Sequence, residues 1–459
     1  MVLSYHEAIA LLQKEAQAQK INRNGKEQIP LQSAINRISS DTICTPHSTP
    51  LWDTSAMDGY ALSSKVTDQA SSQDPIALPV MGLIAAGKDP IFTTPLSDQQ
   101  PLFCLEIMTG ARFPDSQLTT GVELDSCVKF EDVHRFQDPI TGQSMIQVTR
   151  PVAYQQNRRV AGHDFPKGQV VIAAGEHIRP RHVMALASVG VHRVVVQKRL
   201  QIGLYSTGSE LLSRSTDQQD DSQIEDVNGP YLAAALTDHT DAEVHFLGIL
   251  DDHADMISNQ ITRDITETRY DLVITTGAVS AGRFDLIPTA LETLQARILF
   301  HKLNIRPGHP VLAALVARES DENHSTRLPF FGLPGNPVAS AACLRFLVLP
   351  FIRVLNAEDL EIPVKARLTG TDIDSDSRSG SEGQGQIVSR PMASLPPGKD
   401  VFRPGILTYD WEGSAEVVLI ADHSPGKVRP FLQGNCWIHF PSGHIEVCRG
   451  DLVSVYPGL

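Results

Sequence analysis

Apolar residues recur on one face of residues 5 to 20, at Ala8, Leu11, Leu12 and Ala16, a spacing that predicts an amphipathic helix. Pro-, Ser- and Thr-rich sequence then runs to Pro50. From 51 to 150 the pattern changes to short β-type runs broken by Pro, Gly and Asp, such as 77 to 84 and 145 to 149, which predict a small β-rich module. Turns and short strands alternate from 151 to 199, with a helical piece around 182 to 188.

The stretch from 200 to 355 alternates between the two periods. Strands are expected at 201 to 205, 244 to 250, 272 to 276, 298 to 303 and 330 to 333. Helices are expected after Asn228-Gly229-Pro230, at 254 to 268 and 286 to 295, and after Pro337. Repeated β-α-β units of this length predict a mostly parallel, doubly wound sheet with helices on both faces. Residues 369 to 389 are Gly/Ser/Asp-rich and read as a mobile linker. Short runs at 415 to 420, 436 to 440, 445 to 447 and 452 to 456 predict a small C-terminal β-barrel or sandwich. The fold class is therefore multi-domain α/β.

Composition narrows the function. A chain of 459 residues is long enough for two to four domains. Lys and Arg number 39 against 53 Asp and Glu, a formal net charge of −14, which argues against nucleic acid or anionic lipid as the main partner. No two of the six cysteines have the two-residue spacing of a zinc or redox pair, so they read as buried thiols in a reducing compartment. No apolar run approaches membrane-spanning length: residues 344 to 355 are the most apolar, and Arg345 and Arg353 interrupt them. The N-terminus carries glutamates and does not resemble a signal peptide. A cytoplasmic location is expected.

Candidate chemistry sits at the strand ends, where open parallel sheets bind ligands. Three loops there are rich in Gly and hydroxyl groups: Ser206-Thr207-Gly208-Ser209-Glu210, then Thr275-Thr276-Gly277-Ala278-Val279-Ser280-Ala281-Gly282, and Gly332-Leu333-Pro334-Gly335-Asn336-Pro337. Such loops let backbone N–H groups approach an anion. The Gly spacings of a P-loop or a dinucleotide fingerprint are absent. Carboxylates stand beside these loops at Glu210, Asp226, Asp251, Asp252 and Asp285, where they could hold Mg²⁺ against a phosphorylated ligand or merely cap helices. The stretch from Lys302 through Arg306 to His309, around a Pro-Gly turn, reads as an oxyanion pocket or as a solvated turn.

In this order the segments resemble the molybdopterin molybdenumtransferase family, whose eukaryotic relatives include the E domain of gephyrin. The blocks that carry the resemblance are DTSAMDGYAL (53 to 62), EIMTGARFPD (106 to 115), NRRVAGHDFPKG (157 to 168), STGSEL (206 to 211), IEDVNGPYLAAAL (224 to 236), ITTGAVSAGRFD (274 to 285), KLNIRPGHP (302 to 310) and GLPGNPVAS (332 to 340). The resemblance implies molybdenum insertion: molybdate and adenylylated molybdopterin as substrates, Mg²⁺ as cofactor, AMP released. It implies a homodimer with the cleft between protomers, and a partner adenylyltransferase that supplies the substrate. Asp58, Thr109 and Asp164 would act from a lid domain. Glu210 and Asp285 would act from the sheet, holding Mg²⁺ together with Asp226. Ser206, Thr207, Gly208, Thr276, Gly277, Ser280, Pro334, Gly335 and Asn336 would hold the pterin. Lys302, Arg306, His309, Lys399 and Arg403 would hold molybdate, with Lys427 and Arg429 as further candidates. Expected domains are 1–50 with 151–199, the lid at 51–150, the α/β domain at 200–357 and the barrel at 358–459.

The chain departs from the family pattern at Ser209, where Asp is usual, at Ala278, where a second Gly is usual, and at Arg306 and His309, where Lys is usual. Residues 116 to 127 replace a short apolar continuation. The alternative readings are a dimeric scaffold of the gephyrin E type and a paralogue that binds the pterin alone.

Overall fold

A computed structural model describes all residues except 1, 21–24, 94–95, 97–101, 212–222, 251–252, 267–269, 280–285, 318–326, 372–391, 423 and 459. Ser280, Asp285, Asp251, Asp252 and most of the expected linker therefore lie outside the described residues. The chain divides into two compact units, Glu27–Val196 and a second made of Met1–Lys26 with Gln197–Leu459.

In the unit Glu27–Val196, the strands are ordered Ser126–Lys129, Gly59–Leu62, Cys104–Ile107, Ile76–Ile84, Ser144–Val148, His134–Gln137, with Ile91–Phe92 paired to Ile76–Ile84. Both faces are covered. Tyr60, Leu62, Leu78, Cys104 and Ile146 pack on one face, while Ala61, Met81, Leu105 and Ile107 pack on the other, the period-2 alternation a sheet requires. The chain enters and leaves this sheet through paired short strands, Ile43–Cys44 with Val170–Ile172 and Thr54–Ser55 with Arg158–Arg159. The helix Pro180–Ser188 and residues such as Leu31, Ile178 and Leu186 form a separate small core.

The other unit carries the expected α/β sheet. Its strand order is Glu243–Leu250, Gln201–Thr207, Leu272–Thr276, Arg327–Leu333, Leu312–Ala317, Arg297–His301. The first four are parallel, and the last two are antiparallel additions at one edge. Leu312–Ala317 escaped the sequence pattern because a continuous apolar run does not distinguish a buried strand from a buried helix. The order reverses between Gln201–Thr207 and Leu272–Thr276, a switch point that leaves a crevice at their carboxyl ends.

Five strands close into a barrel: Asp400–Tyr409, Ala415–Leu419, Val364–Thr371, Leu452–Pro457 and Cys436–Phe440, the last pairing back to the first. The short strand Ile305–Arg306 from the α/β region adds to it in parallel on Asp400 and Val401.

The helix Pro337–Leu355 is long and apolar enough to cross a membrane by composition, and it is 83% buried inside the protein. Its middle, Leu344–Val348, is a π-helical turn. That turn carries Arg345 into the core, where Glu361 lies 2.6 Å away and Tyr456 stacks beneath the guanidinium. The N-terminal helix Tyr5–Lys20 packs on the end of this helix, with Ala8, Leu12 and Ala16 buried. Burying Leu12 alone contributes about 2 kcal/mol. This placement differs from the expected grouping of residues 1–50 with 151–199, because an amphipathic face specifies burial without naming the surface that covers it.

Cys104, Cys127, Cys343 and Cys436 are buried thiols, whereas Cys44 is exposed and Cys448 half-buried, and none is in a disulfide. Trp52 is half exposed, with the Arg112 guanidinium 4.1 Å from its ring centroid.

Candidate functional site

Two adjoining cavities occupy the α/β-and-barrel unit. The first, about 630 Å³, lies at the switch point. Its floor is built by threonines that tie one loop to the next. Thr207 Oγ1 donates to the Thr276 carbonyl at 3.0 Å, and Thr276 Oγ1 donates to the Pro334 carbonyl at 3.1 Å. Asn228, at the start of the helix Asn228–His239, completes the clamp: its Nδ2 donates to Thr276 Oγ1 at 3.0 Å and to the Gly335 carbonyl at 2.7 Å. All three strand-end loops are thereby held in fixed register. In the sequence Asn228 marks a helix start, and its place beside Asp226 at the head of the helix after the first loop is the one local sign of a further role.

Gly277 has φ +98°, and a Cβ there would lie 2.5 Å from the Thr207 carbonyl oxygen, so no side chain fits. Its amide donates to the Leu333 carbonyl at 2.9 Å. Ala278 follows at φ +48°, a left-handed conformation that costs an L-residue about 1 kcal/mol. The family's second Gly would sit there without strain.

The carboxylates of this cavity have separate duties. Asp226 Oδ2 accepts from the Ser206 hydroxyl at 2.6 Å, and its Oδ1 accepts from the Asn228 and Gly229 amides at 3.0 and 3.1 Å. It caps the helix, and Ser206, fully buried, holds the cap. Glu210 is exposed and folds its carboxylate over Gly208, facing the cavity. Among the described residues no group of three His, Cys, Asp or Glu side chains is placed to hold a metal.

The second cavity, about 390 Å³, lies between the turn 305–310 and the barrel strand Asp400–Tyr409. Arg306, His309, Lys399 and Arg403 line it. Arg306 and Lys399 form no ion pair with a described residue. Arg403 is buried and donates through Nη2 to the Ile420 carbonyl at 2.8 Å. His309 donates from Nδ1 to the Leu303 carbonyl at 2.6 Å, so Nε2 becomes a second donor only when the ring is protonated. The adjacent carboxylate, Asp400, does not line the cavity; it pairs with His439 at 2.7 Å. Phe402, in the same wall, stacks on Phe346 at 3.9 Å and meets the edge of Tyr5 from the N-terminal helix. Lys302 does not line the cavity. Lys427 pairs with Asp422 at 2.8 Å, and neither it nor Arg429 lines either cavity, although their neighbours Gly426 and Val428 wall the first.

Asn336 lines both cavities. It occupies the N-cap of the helix beginning at Pro337, where an Asn side chain ordinarily bonds the helix amides, yet it makes no capping bond. Its exposed carboxamide stands at the shared wall. Pro334 lines the basic cavity, and Gly335 the other.

In the unit Glu27–Val196, Asp58 and Thr109 meet: Asp58 Oδ1 accepts from the Thr109 amide at 2.7 Å and from its hydroxyl at 2.8 Å. These bonds, the amide's first, hold the Asp58 carboxyl below the usual carboxylate range. Behind the pair, Arg158 bonds Asp53 at 2.6 Å, joining two of the sequence blocks. Asp164 is exposed, and its backbone amide donates to the Thr49 carbonyl at 3.0 Å.

Comparison with known proteins places the chain in a family. Residues 3–190 match the family model described as the MoeA N-terminal region (domain I and II), and residues 203–354 match the probable molybdopterin binding domain. The molybdopterin molybdenumtransferase of Synechococcus elongatus is 32% identical over 78% of this chain and 82% of the relative. The Bacillus subtilis protein of the same name is 29% identical over 75% of this chain and 74% of the relative. The crystal structure of a molybdopterin biosynthesis MoeA protein from Pyrococcus horikoshii shares the fold, with a TM-score of 0.74 at 24% identity, covering 100% of this chain and 99% of that one. On these matches, the chain belongs to the molybdopterin molybdenumtransferase family.

Proposed function

We propose that the protein works as a molybdopterin molybdenumtransferase, inserting molybdenum from molybdate into adenylylated molybdopterin, with Mg²⁺ assisting and AMP released. The junction at Asn336 carries this reading, because there a cavity walled by three fixed cations meets a cavity built from loop backbone at a sheet switch point. Molybdate, a dianion, is stabilised where Arg306, Lys399 and Arg403 surround one space. The phosphorylated pterin takes the other cavity, where the Ala278 and Gly335 amides donate to no described residue and are available to phosphate oxygens.

The donor set fits Mg²⁺, which takes one or two carboxylates and completes its octahedron with phosphate oxygens and water. Glu210 would hold it, since its carboxylate faces the cavity. Asp226, with both oxygens already bonded, would orient the helix start instead. When bound, Mg²⁺ supplies positive charge at the phosphoanhydride. The chain's own residues grip and orient: Thr207, Thr276 and Asn228 fix the loop spacing, and Asn336 separates the two ligands. The family resemblance adds Ser280 and Asp285 on the ligand side, and Asp58, Thr109 and Asp164 from the lid of a second protomer. A cytoplasmic homodimer fed by an adenylyltransferase completes the proposal.

The test is AMP release by purified protein given adenylylated molybdopterin, molybdate and Mg²⁺. Glu210→Gln should raise the Mg²⁺ needed for half-maximal release about tenfold. No AMP from wild type at saturating substrates would overturn the proposal.

A further inference from the structure

A third cavity, about 520 Å³, opens within the unit Glu27–Val196 and belongs to none of the machinery above. Tyr60, Glu106 and Arg135 line it with the apolar Val80, Leu83 and Met145. Tyr60 and Glu106 stand directly opposite each other on antiparallel strands, so their side chains leave the same face of the sheet. Arg135 reaches that face from the edge strand, its guanidinium 4.2 Å from the Phe130 ring and 5.8 Å from the Tyr60 ring.

The three polar groups are unspent. Tyr60 is only 3% exposed, yet its hydroxyl bonds to no described residue. Neither Arg135 nor Glu106 forms an ion pair or side-chain hydrogen bond with a described residue. Burial raises the Tyr60 hydroxyl above its ordinary value, while Arg135 opposes that and Glu106 adds to it. The ring is covered while the hydroxyl is not among the buried unpartnered atoms, so the oxygen is accessible to a ligand in the cavity.

We propose that this cavity binds a small zwitterion, a free α-amino acid with an apolar side chain: its carboxylate on Arg135 and the Tyr60 hydroxyl, its ammonium on Glu106, and its side chain against Val80, Leu83 and Met145. One anchor of each sign on a shared face selects a ligand that carries both charges close together. The volume falls in the usual range for small-molecule sites, roughly 300–1,000 Å³.

Calorimetric titration of the full-length protein with L-phenylalanine, L-leucine and L-methionine tests this. Saturable binding of at least one is expected. N-acetyl-L-phenylalanine and L-phenylalaninamide, each lacking one charge, should bind about tenfold more weakly or not at all. Arg135→Gln and Glu106→Gln should each weaken binding about tenfold, and Tyr60→Phe, which keeps the packed ring, about threefold to tenfold. No heat from any of the three amino acids up to ~10 mM overturns the proposal. So does equal binding of the blocked analogues, or full affinity in a variant whose thermal unfolding matches wild type.

Discussion

The two adjoining cavities are opposites in charge and in construction. The one at the sheet end is lined by Glu210, Glu225 and Asp226 and by no Lys, Arg or His among the described residues. The one against the barrel is lined by Arg306, His309, Lys399 and Arg403 and by no Asp or Glu among them. The first is made of backbone held by buried threonines, so its shape depends on glycine positions and loop spacing. The second is made of long side chains on a turn and a strand, so its affinity depends on charge. The second therefore presents positive side-chain charge to a ligand and the first negative. The departures from the family pattern divide the same way: Ala278 strains the first, and Arg306 and His309 alter the charge carriers of the second.

Breaking the first cavity should have the largest effect. Gly277→Ala forces a Cβ into the Thr207 carbonyl at positive φ. It should destabilise the protein by about 3 kcal/mol and abolish cofactor formation, read by denaturant unfolding and AMP release. Breaking the second should be selective. Arg306→Gln should raise the molybdate concentration for half-maximal activity about tenfold, while the affinity for the pterin substrate, measured by calorimetry, changes less than twofold. Sharpening the first is a smaller effect. Ala278→Gly should stabilise by up to about 1 kcal/mol in denaturant unfolding, because glycine adopts φ +48° without a Cβ penalty. The smallest effect lies in the other unit. The Asp58 carboxyl titrates below its unfolded value, so its bond to Thr109 contributes above the ordinary carboxylate range and is lost as pH falls through the lowered value. Thr109→Val removes the hydroxyl but keeps the amide, and should move that titration partway back up in an NMR pH series.

The loops of the first cavity were legible because a tight turn at a strand end demands Gly, and Gly is visible in the sequence. The two parallel segments that flank the switch point were legible from their period. What the side chains do there was less so. Asp226 has the composition of a metal ligand, but its oxygens are consumed by a hydroxyl and two amides, a fact that depends on where Ser206 points. Asn228 reads as a helix start and its place beside Asp226 is the one local sign of more, because a clamp across three loops is a property of their spacing in the fold. Lys302 has the right charge in the right block, yet it does not line the cavity; its backbone stands at φ +74° and its amide donates to the Val311 carbonyl. Arg403 is a candidate only through the family resemblance; composition alone does not separate a buried arginine on a barrel strand from a solvated one.

The ladder between Ile305–Arg306 and Asp400–Val401 makes the barrel part of a seam rather than an appendage. A chain cut near residue 357 would retain the strand-end loops and most of their walls, yet it would leave the turn at Pro307 without its ladder partner and without Lys399 and Arg403. On the proposed function, the grip on phosphate and the grip on metal oxyanion would be severable at a single position, and a C-terminal deletion would leave a binder of one ligand where two are expected.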